Sequence, residues 1–187
     1  MKAVEQVRDL GIAQALTKGA CPICALLKQF QSQLIDDPEE VDRLCNYHAW
    51  AIAHATPGGK AVDIFARVLN YAESHAGGNL LCDICFRLQQ EEEIRIREMA
   101  KELASRTTFM EWMLQHGGIC LNHATKLKTF LPIRLQYFIT KIVQREFAEL
   151  KGELDEYRLQ LEQGCKAGWG GLGKVAELIV SQRGITR

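Results

Sequence analysis

Two Cys-x-x-Cys motifs, each followed by a Cys-x-x-His, constrain this chain more than any other feature. Cys21-Pro-Ile-Cys24 precedes Cys45-Asn-Tyr-His48, and Cys82-Asp-Ile-Cys85 precedes Cys120-Leu-Asn-His123. Six of the seven cysteines fall in these four motifs. Three thiolates and one imidazole make a common closed, tetrahedral structural zinc site. The expected metal ligands are therefore Cys21, Cys24, Cys45, His48, Cys82, Cys85, Cys120 and His123, enough for two ions. Core cysteines would have no reason to recur in pairs of this spacing.

The same thiolates could instead carry iron–sulfur clusters, in which a histidine can replace a cysteine. Dithiol redox chemistry is a further alternative, but such motifs sit at a strand-to-helix junction. No strand pattern precedes either Cys-x-x-Cys here. Residues 1–20 mix charges with apolar residues and lack the core of a signal peptide. No stretch approaches the roughly 18 apolar residues of a membrane span. The expectation is a cytoplasmic protein, where paired cysteines serve as ligands more often than as disulfides. Lys plus Arg (23) balances Asp plus Glu (23), so no global field would gather nucleic acid or an acidic membrane.

Helical periodicity runs through the whole sequence. Helices are expected over residues 3–17, 24–35, from Pro38 through Cys45 and His48 to about His54, 60–75, 84–104, a short stretch around Phe109 and Met113, 119–130, 132–163 and 174–182. Thr56-Pro57-Gly58-Gly59 is expected as a turn. The order helix, Cys-x-Ile-Cys, helix, connector, Cys-x-x-His-Ala occurs twice, with 20 residues between inner ligands in the first copy (25–44) and 34 in the second (86–119). The fold expected is all-α: one compact helical bundle over 1–187, built from two metal-stapled helical-hairpin repeats (about 3–75 and 80–163) and a long C-terminal helix.

Three pairings of the four ligand pairs are possible: each copy alone, alternating, or outer with outer and inner with inner. Helix lengths make pairing within each copy the economical expectation, with Cys21, Cys24, Cys45 and His48 on one ion and Cys82, Cys85, Cys120 and His123 on the other.

Other residues carry less. His54, His75 and His116 lie near helix ends and read as exposed or capping groups. Cys165 has no motif partner. Trp50, Trp112 and Trp169 read as core or interface anchors. Glu91, Glu92 and Glu93 read as a solvated face opposite Arg95 and Arg97. The run from Gly168 to Gly173 lacks the Gly-Lys-Ser/Thr ending of a phosphate loop. No catalytic constellation and no organic-cofactor site is evident. The function expected is a metal-stapled scaffold for a protein partner, with an iron–sulfur electron carrier or a metal sensor or carrier as alternatives.

Gly19-Ala-Cys-Pro-Ile-Cys24, Asp37-Pro-Glu-Glu-Val41, Cys45-Asn-Tyr-His-Ala-Trp50 and Gly118-Ile-Cys-Leu-Asn-His123 together resemble a prokaryotic family known as a domain of unknown function. Its members pair Cys-Pro-x-Cys with Gly-Phe-Cys-x-x-His-Ala-Trp and then repeat the theme. The resemblance spans most of the chain, but Arg43-Leu44 stands where Gly-Phe is usual and the first hairpin is shorter. It implies the ligand set and no activity.

Overall fold

The computed structural model describes residues 21–38, 40–75, 81–116 and 118–163, with Val175, Ala176, Leu178 and Ile179 beyond them; the side chains of Trp112 and His116 are outside that description. Seven helices follow in order among the described residues, with no strand: α1 Pro22–Asp36, α2 Asn46–Ala55, α3 Gly58–Ser74, α4 Asp83–Ser105, α5 Thr107–His116, α6 Leu121–Lys128 and α7 Ile133–Glu162. The fold class is all-α, as periodicity implied. The helix expected over 3–17, Cys165, Trp169 and the glycine-rich run lie outside the described residues. Of the stretch 174–182, the four described residues are helical.

The chain divides into two compact units. One takes residues 21–26 with those from 95 onward, and the other takes 27–94. The first is built on the C-terminal part of α4, where Ile96, Met99, Ala100 and Leu103 recur at helical spacing and are all buried. Phe109 and Met113 of α5, Ala124 and Leu127 of α6, and Leu135, Ile139, Ile142 and Val143 of α7 complete that core. α7 is the longest helix, but its buried residues end at Leu150, and Leu159 and Leu161 beyond it are exposed. The second unit closes over Leu27, Val41, Ile52, Ile64, Ile84 and Leu88.

Several local expectations are corrected. The helix expected from Pro38 begins only at Asn46; residues 41–45 are non-helical, and Cys45 is extended. That segment is held by Asp83, whose carboxylate accepts from the backbone N–H groups of Asp42 (3.0 Å) and Arg43 (2.9 Å). Gly58 and Gly59 belong to the first turn of α3, with Pro57 as its N-cap. Glu92 is buried at 4% exposure, so the Glu91–Glu93 run is not wholly a solvated face. Trp50 is 61% exposed, which removes it from any core, and its ring stacks on exposed His54. His75 caps the end of α3 and stacks on Tyr71, with ring centroids 4.0 Å apart.

Candidate metal centres

All four ligand pairs occupy one structural position. The carbonyls of Cys21, Cys45, Cys82 and Cys120 accept the first backbone bond of α1, α2, α4 and α6, from Ala25 (3.1 Å), Ala49, Phe86 and Ala124 (each 2.9 Å). Each of these cysteines is therefore an N-cap. Cys24, His48, Cys85 and His123 are the third helical residues that follow. Side chains on a helix tilt toward its N-terminus, so a ligand at that third position points back to the capping residue. This explains the three-residue step in both motif types. Cys-x-x-His was expected to lie wholly on a helix, but its cysteine precedes the helix with extended backbone (φ −80°, ψ 165° at Cys45; φ −66°, ψ 154° at Cys120). Pro22 takes the first helical position, where a missing N–H costs nothing. Ile23 and Ile84, between the ligands, are 1% and 0% exposed and anchor their motifs in the two cores.

The pairs meet across the copies. Cys21, Cys24, Cys120 and His123 form one group in the first unit, and Cys45, His48, Cys82 and Cys85 form the other in the second unit. Within each group the four ligand atoms lie within 4.8 Å of one another. The expected pairing within each copy is overturned, and with it the picture of each hairpin repeat stapled by its own ion. Helix length supplies one reason. The 23-residue α4 advances about 35 Å, while the 10-residue α5 spans only about 15 Å of return. The other reason is the Asp83 clamp, which fastens the segment leading into Cys45 beside Cys82. Asp83 also donates its backbone N–H to the Arg43 carbonyl (3.0 Å) and accepts from Arg43 Nε (2.8 Å).

In the first group, His123 Nδ1 lies 3.1 Å from Cys120 Sγ and 3.3 Å from the sulfurs of Cys21 and Cys24, with Cys24 and Cys120 sulfurs 3.7 Å apart. In the second, His48 Nδ1 lies 3.3 Å from Cys45 Sγ and 3.4 Å from the sulfurs of Cys82 and Cys85, with Cys45 and Cys85 sulfurs 3.9 Å apart. A disulfide needs about 2.05 Å, so these sulfur pairs are unbonded. One tetrahedral ion with 2.3 Å sulfur and 2.0–2.1 Å nitrogen bonds requires edges of roughly 3.8 Å between sulfurs and about 3.5 Å between sulfur and nitrogen. In both cages the three sulfur–nitrogen edges and the sulfur–sulfur edge given above match those values to within a few tenths of an ångström, and no ligand atoms of a group lie more than 4.8 Å apart.

Electrostatics favour a cation at both centres. Burial, then the neighbouring thiols Cys120 and Cys24, pushes Cys21 well above the usual thiol range, while hydrogen bonds from Cys21 and Cys24 bring Cys120 down to about 4. The amides of His123 and Asn122 assist at Cys120 as dipoles, short of cap hydrogen-bond geometry. In the second group burial and the charges of Cys82 and Cys45 push Cys85 up to about 12. A divalent cation would offset the repulsion between neighbouring thiolates at either centre. Three thiolates around such a cation leave one net negative charge, and each centre receives two helix N-termini, whose partial positive charge offsets it.

Sequence reasoning missed two supporting residues. Asp83 is the clamp described above; its carboxylate, which burial would raise, is held below the usual range by the Arg43 guanidinium and the amides of Asp42 and Arg43. Its signal was the acidic residue inside the second Cys-x-x-Cys, matched by the basic Arg43 two residues before Cys45. Gln31 is the other, with its side-chain amide nitrogen 3.1 Å from His48 Nε2. A histidine bound through Nδ1 carries its proton on Nε2, so the Gln31 amide must present its oxygen there to accept it. No sequence spacing marks Gln31.

Comparison with family models, with curated proteins and with solved structures finds no match for this chain.

Proposed function

We propose that this protein is a helical scaffold in which two zinc ions act structurally, one per centre, and that the scaffold serves to bind a protein partner. The observation carrying the reading is the match of both cages to a single tetrahedral ion. In a [2Fe–2S] or [4Fe–4S] cluster the protein ligands are divided among different irons, whereas all four ligand atoms of each group here lie within 4.8 Å of one another, as around a single ion. Four protein ligands close the coordination sphere and leave no position for water or substrate, which favours a structural role over a catalytic one. No described helix is long and apolar enough to cross a membrane. The motifs also support, as part of this proposal, kinship with the paired Cys-Pro-x-Cys and Cys-x-x-His-Ala-Trp family.

Elemental analysis of protein purified without oxygen or chelator tests the reading, with two zinc ions per chain expected. Structural zinc in small domains contributes on the order of 10 kcal/mol to folding. Chelation of both ions should therefore remove helical circular dichroism along with metal. Iron and sulfide in the protein, or full helicity without metal, would overturn it.

A further inference from the structure

The two centres have the same ligand types but different access to solvent. In the first, Cys21, Cys24, Cys120 and His123 are 9%, 5%, 2% and 1% exposed. In the second, His48 and Cys82 are equally buried, at 3% and 5%, but Cys45 is half-buried and Cys85 is exposed. Solvent thus reaches the second cage along one edge, the one joining Cys45 and Cys85. Their sulfurs are 3.9 Å apart.

We infer that Cys85 is a modification site for hydroperoxides, and that its oxidation to a disulfide with Cys45 releases the ion of the second centre while the first keeps its own. This rests on the metal reading above, since the ion released is the one that reading assigns to the second centre; the exposed Cys85 sulfur and its 3.9 Å approach to Cys45 carry the rest. The Cys85 thiolate attacks one peroxide oxygen, the O–O bond breaks, and the departing alkoxide or hydroxide takes a proton. Cys85 is then a sulfenic acid. The Cys45 thiolate attacks the Cys85 sulfur, an S–S bond forms, the S–O bond breaks, and hydroxide leaves to be protonated to water. Two thiolates have lost two electrons to one hydroperoxide, which is reduced to an alcohol or water plus water. Cys82 and His48 remain as two ligands, too few to hold a tetrahedral ion. The first centre presents no comparable exposed sulfur. Reduction of the disulfide restores all four ligands, so the step is reversible where sulfinic acid formation would not be.

The test uses the full chain with its metal content measured beforehand. Hydrogen peroxide is added in steps, released zinc is read with a chromogenic chelator, and disulfides are located by peptide mass mapping. The expected result is release of one ion per chain, in step with a Cys45–Cys85 disulfide, with Cys21, Cys24 and Cys120 unmodified. Dithiothreitol with added zinc should then return the content to two. Release of both ions together, oxidation of Cys21, Cys24 or Cys120 first, or retention of both ions with Cys85 unmodified would overturn the inference and leave the metal reading standing. A starting content below two ions would instead overturn the metal reading, and this inference with it.

Discussion

Cys24 Sγ lies 3.7 Å from Cys120 Sγ, although 96 positions separate them in sequence. The contact joins the first motif of the chain to the last, and leaves the two middle motifs to each other. Four helices begin on cysteines of these groups, so each Cys₃His group brings together the starting points of two helices that the sequence places far apart.

The pairing makes a prediction in metal counting. Cys21→Ser and Cys120→Ser should each lower the content from two ions to one, and the double variant should still hold one. Cys21→Ser combined with Cys45→Ser should hold none. Native mass spectrometry of the soluble fraction distinguishes these results, and a double Cys21/Cys120 variant without metal would contradict the pairing.

Asp83 should matter to the second centre without touching its ion. Loss of a group that orients a ligand typically lowers metal affinity about 10- to 100-fold. Asp83→Asn should show a loss of that size at one ion only, measured by competition with a chelator. The pH dependence follows from the lowered carboxyl. Asp83 contributes in full above the unfolded-state value of about 4, and its contribution is lost as pH falls through the lower folded value. The stability gap between the parent and Asp83→Asn should therefore be constant near neutrality and close in acid. A gap that widens in acid would refute the clamp.

Gln31 should act through His48. Gln31→Leu removes the acceptor for the imidazole N–H and should weaken the second ion about 10- to 100-fold. Gln31→Glu keeps an acceptor and should retain affinity. Equal losses in both variants would show that Gln31 merely packs.

Leu127 lies one turn beyond His123 in α6 and is 0% exposed. Leu127→Ala should cost about 2–5 kcal/mol in the first unit. Denaturant unfolding monitored by circular dichroism checks this, and a loss below 1 kcal/mol would show that α6 is held by metal alone.

The ligands themselves were legible, because chemistry restricts them to two residue types and helix geometry restricts each pair to a three-residue step. Helix positions were legible too wherever apolar residues recur every three or four positions, as from Ile96 to Leu103. The start of α2 was not. Residues 41–45 read as a continuation of the helix, but they are non-helical, with Asp83, some forty residues away, holding Asp42 and Arg43 by their amides.

What the sequence alone determined was the eight cysteines and histidines that gather into two Cys₃His groups and the all-helical class, since both depend on local spacing. Which ligands meet was decided only in three dimensions. Each pair is equally suited to any other, as all four are N-cap and third-residue pairs of helices, so nothing local discriminates among the pairings. The choice falls to the length of α4 relative to α5 and to one carboxylate that fastens Cys45 beside Cys82. The same tertiary arrangement buries the first centre and leaves Cys85 of the second at the surface, a difference invisible in two nearly identical motifs.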